Sequence, residues 1–254
     1  MGLLPDYSRQ ALAYDSTRAA SPSVLAPLRR ALDGAPGRRL LDVGGGTGNY
    51  ALALADEGWE ATVLDRSPQM LDQARAKGLP AVAGEAEQLP FAAESFDAAM
   101  LVSMLHHVDS PERTLGEARR VLVPDGRLAL MVFTREDIAD TWCREYFPSS
   151  RAWMRSHHPK LEELLGMLPG AEHMPVHYKD VEDGSLAAMM GQPELVLDPR
   201  HRTQTSYFER MERDHPDELE AGLERLSREI AEGDGPDRPG RATMICWQKP
   251  GGQP

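Results

Sequence analysis

Leu40-Leu41-Asp42-Val43-Gly44-Gly45-Gly46-Thr47-Gly48-Asn49-Tyr50 is the stretch whose reading decides the fold. Leu40 to Val43 is a short apolar run that reads as a buried strand. Glycines then crowd a turn, and from Tyr50 to Glu57 the Ala and Leu spacing is that of a helix. Glycine admits positive φ and lets a ligand approach the backbone, while the first N–H groups of the following helix lack internal partners. The turn is therefore a cradle for a polar or charged ligand.

Three readings compete for this cradle. A dinucleotide site sets a pyrophosphate on a helix N-terminus behind G-x-G-x-x-G, whereas Gly44, Gly46 and Gly48 give G-x-G-x-G. A P-loop needs Gly-Lys-Ser/Thr, and Gly48 is followed by Asn49. The third reading uses Asp42, just before the glycines, which repels a pyrophosphate but suits a ligand carrying an ammonium or sulfonium charge.

Downstream residues bear on the choice. Ala61 to Leu64 reads as a second strand ending in Asp65, 19 residues after Gly46, and Ser67-Pro68 opens another helix. An acid at that place accepts hydrogen bonds from a ribose diol, in dinucleotide and other adenosine sites alike. A third short strand, Ala81 to Ala83, leads into G-E-A-E-Q-L-P-F over Gly84 to Phe91, and Ser95-Phe96-Asp97 into a fourth, Ala98 to Ser103. Then come Leu105-His106-His107-Val108, a helix from Pro111 to Val121, the turn Pro124-Asp125-Gly126 and a fifth strand from Arg127 to Phe133.

In that order, D-V-G-G-G-T-G resembles motif I of the class I S-adenosylmethionine (SAM)-dependent methyltransferases. G-E-A-E-Q-L-P-F…S-F-D resembles the motif II region of their UbiE-like members, usually G-D-A-x-x-L-P-F…S-F-D. A-R-R-V-L-V-P-D-G-R-L, residues 118–128, resembles their motif III, with Asp125 where a glycine is usual. The resemblance covers about residues 40–133 and implies S-adenosyl-L-methionine as cofactor and a methyltransferase activity. It implies cofactor contacts from Asp42, Gly44, Gly46, Asp65, Arg66, Met70 and Leu101, with the adenine amino group on Glu85 and the ring at the Ala86 N–H. Segments like Ala13 to Arg18 stand before motif I in many small-molecule members.

Tyr7, Tyr14 and Arg18 fall on one helix face. That helix either covers a sheet edge or forms a lid over the glycine turn, with Tyr14 or Arg18 reaching the ligand's carboxylate. Parallel strand ends are where open α/β sheets place ligands, so His106 and His107 start near the chemistry. Which of them faces the donor methyl is left open; either one, or Tyr14, is a candidate general base. Adjacent histidines match no common zinc spacing, so no metal is expected.

Beyond Thr134 the sequence predicts helices over 141–147 and 160–168, a strand over 174–178, further helices over 184–191, 200–214 and 216–232, and a last strand over 241–248. Leu219, Leu223, Leu226 and Ile230 have core spacing. Trp142, Phe147, Tyr178 and Met189, with Trp153, Met154 and Met190, supply either an adaptable apolar pocket facing the acceptor, together with His106, or packing for a cap.

Composition sets the partners. A net charge of -12 over 254 residues disfavours polyanions, whose binding leans on Lys and Arg neutralising phosphates, so no nucleic-acid partner is expected. Cys143 and Cys246 are the two cysteines, which suits a reducing cytoplasm. No run approaches the ~18 apolar residues of a membrane span, and the first residues carry no secretory pattern. These features predict a cytoplasmic protein. The alternation of strands with helices predicts a doubly wound α/β sheet, and the resemblance implies an enzyme with a seven-stranded Rossmann-like methyltransferase sheet of order 3-2-1-4-5-7-6. Residues 1–36 form a helical lid, residues 37–254 the SAM-binding domain, and about 180–238 a helical cap insertion. Its acceptor is a small, partly apolar molecule of natural-product character, methylated at O, N or C. Two alternatives stand: a SAM-binding protein of this fold that does other chemistry or serves as a binding module, and a nicotinamide dehydrogenase.

Overall fold

The structure is a computed structural model. It describes residues 19–139, 141–179, 186–203 and 205–251. Tyr14, Arg18 and the first half of the lid expected over 1–36 lie outside the described residues.

The chain begins with α1 (Pro22–Leu32) and continues through β1 (Arg39–Val43), α2 (Asn49–Ala55), β2 (Glu60–Asp65), α3 (Pro68–Ala76), β3 (Ala81–Ala83), β4 (Phe96–Val102) and α4 (Pro111–Val121). After β5 (Leu122–Val132) come α5 (Arg135–Ala139), α6 (Cys143–Tyr146), α7 (Ser150–His157) and α8 (Leu161–Met167). β6 (Glu172–His177) is followed by α9 (Leu186–Met189), α10 (Glu194–Leu197), α11 (Pro199–Arg202), α12 (Ser206–Asp214) and α13 (Pro216–Glu232), and β7 (Arg241–Gln248) closes the sheet. Strand order is β3-β2-β1-β4-β5-β7-β6, as expected. β1 to β5 pair in parallel, and β7 runs antiparallel to both β5 and β6.

Strand side chains alternate between the faces of a sheet, and here both faces are covered. Leu40, Met100, Ala129, Met131 and Met244 pack against Leu28 of α1, Leu54 of α2 and Leu71 of α3. Their neighbours Leu41, Leu101, Leu128, Leu130 and Ile245 pack on the other side against Leu115 and Val121 of α4 and Leu164 of α8. Asp42 occupies a position that this pattern would give to an apolar residue, and it is 2 % exposed.

A third core lies away from the sheet. Trp142, Phe147 and Met154 from the β5–β6 connection meet Met189, Val196, Phe208, Met211, Leu219 and Leu226 from the β6–β7 connection. The cap core thus also takes residues from ahead of β6. The Tyr146 hydroxyl donates to Glu229, and the Ser149 N–H and hydroxyl donate to Glu218 at 2.9 and 2.5 Å, so α13 is tied to this earlier segment by polar bonds as well.

Two local expectations change. The single helix expected over 200–214 is two, because the Thr205 side chain accepts the Phe208 N–H at 3.3 Å and starts α12 afresh. The fifth strand begins earlier, at Leu122, with Asp125 held at φ 63° in the turn where the family usually has glycine.

Gly222 marks where α13 crosses the earlier cap segment. A Cβ there would lie 2.4 Å from Phe147 Cε1 and 2.8 Å from the Tyr146 carbonyl oxygen. Gly222→Ala should therefore lose about 1–3 kcal/mol to overpacking, more than the ~1 kcal/mol that alanine gains in helix propensity. Urea unfolding would read this as a lowered midpoint; an unchanged or raised midpoint would mean the crossing is loose.

Candidate active site

The C-terminal ends of β1, β2 and β3 lie side by side, since Val43 is opposite Leu64 and Asp65 is opposite Ala83. This register brings Asp42, Asp65 and Glu85 to one edge of the sheet, the edge at which open α/β sheets bind ligands.

The glycine turn is held from behind. The Gly44 and Gly45 N–H groups donate to the Leu64 carbonyl at 2.7 and 3.1 Å, and the Gly48 N–H donates to the Gly45 carbonyl at 2.9 Å. The Gly46 N–H donates to Asp65 Oδ2 at 3.0 Å. On its far side the Lys77 ammonium donates to the Thr47 carbonyl at 2.9 Å and to Asn49 Oδ1. Gly44, Gly46 and Gly48 have φ of 67°, 56° and 77°, the left-handed region where a Cβ is strained. Amides that a pyrophosphate would need are thus committed to the protein, which argues against the dinucleotide reading.

Asp42 lies beneath this turn. A Cβ on Gly45 would sit 2.4 Å from the Asp42 carboxyl carbon, so the missing side chain at Gly45 is what leaves room for the acid. Burial, and secondarily the charge of Asp65, push the Asp42 carboxyl up to about 8. A group in that state favours a cation beside it, which would restore its charge. Asp65 Oδ1 accepts the Ser67 N–H at 2.8 Å and Oδ2 the Gly46 N–H. An ionised carboxylate offers about four acceptor sites, so both oxygens keep lone pairs for ligand hydroxyls.

The remaining cofactor candidates fall around this edge. Met70 is buried, with its sulfur 3.9 Å from where a Gly46 Cβ would lie, and Arg66 is exposed. Glu85 is exposed, its carbonyl accepting the Gln88 N–H at 3.1 Å, and Ala86 is buried. Leu101 is buried in the second core layer.

Past β4, Ser103 takes φ 52° and its N–H donates to the Met131 carbonyl at 3.0 Å. Backbone in this region is costly for a non-glycine residue and gathers at functional sites. The bend turns the chain into a single 3-10 turn, Leu105–His107, that carries both histidines half-buried. Met104 packs on the Gly44 Cα, where a Cβ would lie 2.9–3.1 Å from it. His106 also meets His158, whose ring centre is 5.4 Å away. Lys77, Ser103, Met104 and His158 were missed in the sequence, because each joins the site through a contact between distant segments.

Four of the acceptor-side candidates are buried. Trp142, Phe147 and Met189 are buried in the cap core, with the Trp142 indole N–H donating to the Met190 carbonyl at 2.9 Å and Phe147 edge-on to Phe208 at 5.7 Å. Tyr178 is buried beside the sheet, stacked on Phe133 at 6.4 Å. An acceptor would meet these side chains only if the cores opened, so their position is that of packing. Among the described residues no group of three or more His, Cys, Asp or Glu is placed to hold a metal. No described helix is long and apolar enough to cross a membrane. A groove of about 360 Å³ lies before β1, among Arg29, Asp33, Arg38 and Trp59, but Arg29 is bonded to Glu57 and Arg38 lies over the Trp59 ring.

Comparison with known proteins agrees with this geometry. Residues 41–130 match the model of a methyltransferase domain family. An uncharacterized methyltransferase of Mycobacterium tuberculosis is 41% identical over 114 residues, 44% of this chain and 46% of the relative. A demethylmenaquinone methyltransferase of Renibacterium salmoninarum is 39% identical over 106 residues, 41% of this chain and 45% of the relative. The match thus spans under half the length of these curated relatives. A crystal structure described as a candidate methyltransferase from an antibiotic biosynthesis pathway of Anabaena variabilis superposes with a TM-score of 0.76, covering 90% of this chain and 98% of that one at 24% identity, which shows the shared fold. Residues 41–130 thus carry the sequence pattern of a methyltransferase domain, on a seven-stranded sheet whose fold is shared with the Anabaena structure.

Asp42 sets the pH behaviour. Unfolded, it ionises near the ordinary ~3.9; folded, it stays protonated up to about 8. The folded state therefore binds more protons in that window, and stability falls as pH rises from about 4 to about 8. Asp42→Asn should remove this decline, so that urea unfolding shows the variant gaining on wild type between pH 5 and pH 8 while its SAM affinity drops. In wild type, SAM binding at pH 7 should release a proton, visible by calorimetry in buffers of different ionisation enthalpy. Proton-free binding, or a variant with no pH-dependent gain, would contradict the assignment.

Proposed function

We propose that this protein transfers a methyl group from SAM to an O, N or C nucleophile of a small, partly apolar acceptor. The observation that carries the proposal is the acid set on three neighbouring strand ends, with Asp42 buried under a glycine turn whose amides face inward. The residues fit the cofactor. Gly45 leaves space for a carboxyl that a cation would restore to its charged form, and Asp65 keeps acceptor capacity for a diol. Glu85 and Ala86 stand at the tip of the third strand for an adenine.

In this reading Asp42 faces the cationic end of the cofactor, Asp65 the ribose, and Glu85 with the Ala86 N–H the adenine. Arg66, Met70 and Leu101 complete the walls. When bound, SAM supplies an electrophilic methyl on a sulfonium sulfur. The protein's part is to align the acceptor in line with that methyl and to exclude water. Charge disperses along such a displacement, so no acid or base is obligatory; His106 or His107 takes a proton only where the acceptor must lose one early, as a phenol or indole does.

Half-buried Phe133 and the histidines at the ends of β4 and β5 support a partly apolar acceptor. The demethylmenaquinone methyltransferase and the antibiotic-pathway structure support an apolar or natural-product acceptor by their names. The acidic chain disfavours nucleic acid, and two free cysteines, one buried and one half-buried, suit the cytoplasm.

Calorimetry against SAM and NAD side by side, then incubation with methyl-labelled SAM and a panel of phenols, amines and quinols, tests the proposal. The expected result is SAM binding at least about tenfold tighter than NAD, a difference of ~1.4 kcal/mol, and label recovered in an organic-soluble product. NAD preference would overturn the cofactor. Tight SAM binding with no transfer to any acceptor would favour the alternative, a SAM-binding protein with another role.

A further inference from the structure

Five rings follow one another along the ends of β4, β5 and β6. His107 and His106 are 3.8 Å apart between ring centres, and His106 and His158 are 5.4 Å apart with planes inclined by 33°. Phe133 then stands edge-on to His158 at 6.5 Å and stacks on Tyr178. His158 reaches this row from the connection after α7, and two bonds fix it at the end of β5. Its Nδ1 lies 3.1 Å from the Phe133 carbonyl oxygen, and its own carbonyl accepts the Arg135 Nε–H at 2.8 Å. A carbonyl cannot donate, so Nδ1 carries the proton, and in the neutral ring Nε2 is the acceptor nitrogen. The backbone of β5 has thereby set both the tautomer and the plane of a ring that is 8 % exposed.

We propose that His158 is a positioning residue for His106, and that this pair of tilted, adjoining rings is the device that holds the proton lost by the acceptor. This role rests on the methyl-transfer reading; the pairing itself stands on the geometry. A neutral ring face beside an imidazolium stabilises the positive charge, whereas two adjacent imidazolium ions oppose one another. One proton over the three rings is favoured over two, and His106, in contact with both neighbours, is the ring that gains most from carrying it. When the acceptor's O–H or N–H bond breaks, its electron pair stays on the acceptor atom for the new bond to the methyl carbon. The proton passes to a His106 ring nitrogen and then to solvent. Two charged groups at this corner are already engaged. Arg135 is bonded to the His158 carbonyl, and Glu87 Oε1 accepts the Asp109 and Ser110 N–H groups at 2.9 and 3.5 Å.

Nitrogen-15 NMR of ring-labelled histidine in the full chain, saturated with S-adenosylhomocysteine and assigned with His106→Gln, His107→Gln and His158→Gln, tests the pairing. The neutral His158 ring should show a protonated Nδ1 and a bare Nε2. In His158→Gln the His106 titration midpoint should move by about half a pH unit or more, with S-adenosylhomocysteine affinity within about twofold of wild type. A proton on Nε2 of His158, or an unmoved His106 midpoint, would overturn the proposal. Should His158→Gln fail to fold, the coupling is reciprocal, so the His158 titration must move in His106→Gln, and an unmoved one is equally decisive. Coupled titrations in a protein that transfers no methyl group would leave the pairing intact and remove only the methyl-transfer reading.

Discussion

A carboxyl group shut beneath a glycine turn is the constraint on which the rest of this structure depends. Burying an acid without a countercharge is costly, and the fold accepts that cost at Asp42 by keeping the group neutral up to about 8. The surrounding order follows. Gly45 must lack a side chain. The Leu64 carbonyl and Asp65 pin the turn from one side, and Lys77 pins it from the other. These ties keep the backbone from collapsing onto the acid or swinging away from it. Local rules of stability are broken where function needs them broken, and Asp42, buried in β1 between Leu41 and Val43, is such a place.

The sheet separates scaffolding from chemistry along its own strands. Alternating side chains fill two helix-covered cores, and the residues that follow the last paired positions turn outward into the site. Ser103 shows the same division at β4, where a left-handed residue converts a buried strand into the histidine turn. The cap is a third core with its own polar clasps, built from both connections that flank β6.

Much of this was legible in the sequence where the signal is local. The α4, α13 and β7 boundaries follow from apolar period and from proline or glycine at the ends, and the strand order follows from the resemblance over residues 40–133. Asp42, the glycines and Asp65 could be read because a strand tip and its turn are contiguous. What joins through space could not. Lys77 ends a helix like any surface lysine, and its bonds to Thr47 and Asn49 exist only once the turn has closed. Next to one proline, His158 looks like a loop residue, and nothing in its neighbourhood announces a ring set against His106. Apolar residues such as Trp142, Phe147 and Met189 carry the same pattern whether they line a pocket or fill a core, and burial alone separates the two. Thr205 restarted a helix that periodicity had run together, because a cap is a single hydrogen bond that no hydrophobic pattern records.

The most direct measurement is the structure of this protein with S-adenosylhomocysteine bound. The account predicts the ribose hydroxyls on Asp65, the adenine between Glu85 and the Ala86 N–H, and the ligand's ammonium over the Gly44–Gly46 turn above Asp42. A nucleoside held elsewhere, in the groove beside Arg29 and Trp59 for instance, or one that leaves Asp42 and Asp65 untouched, would contradict it.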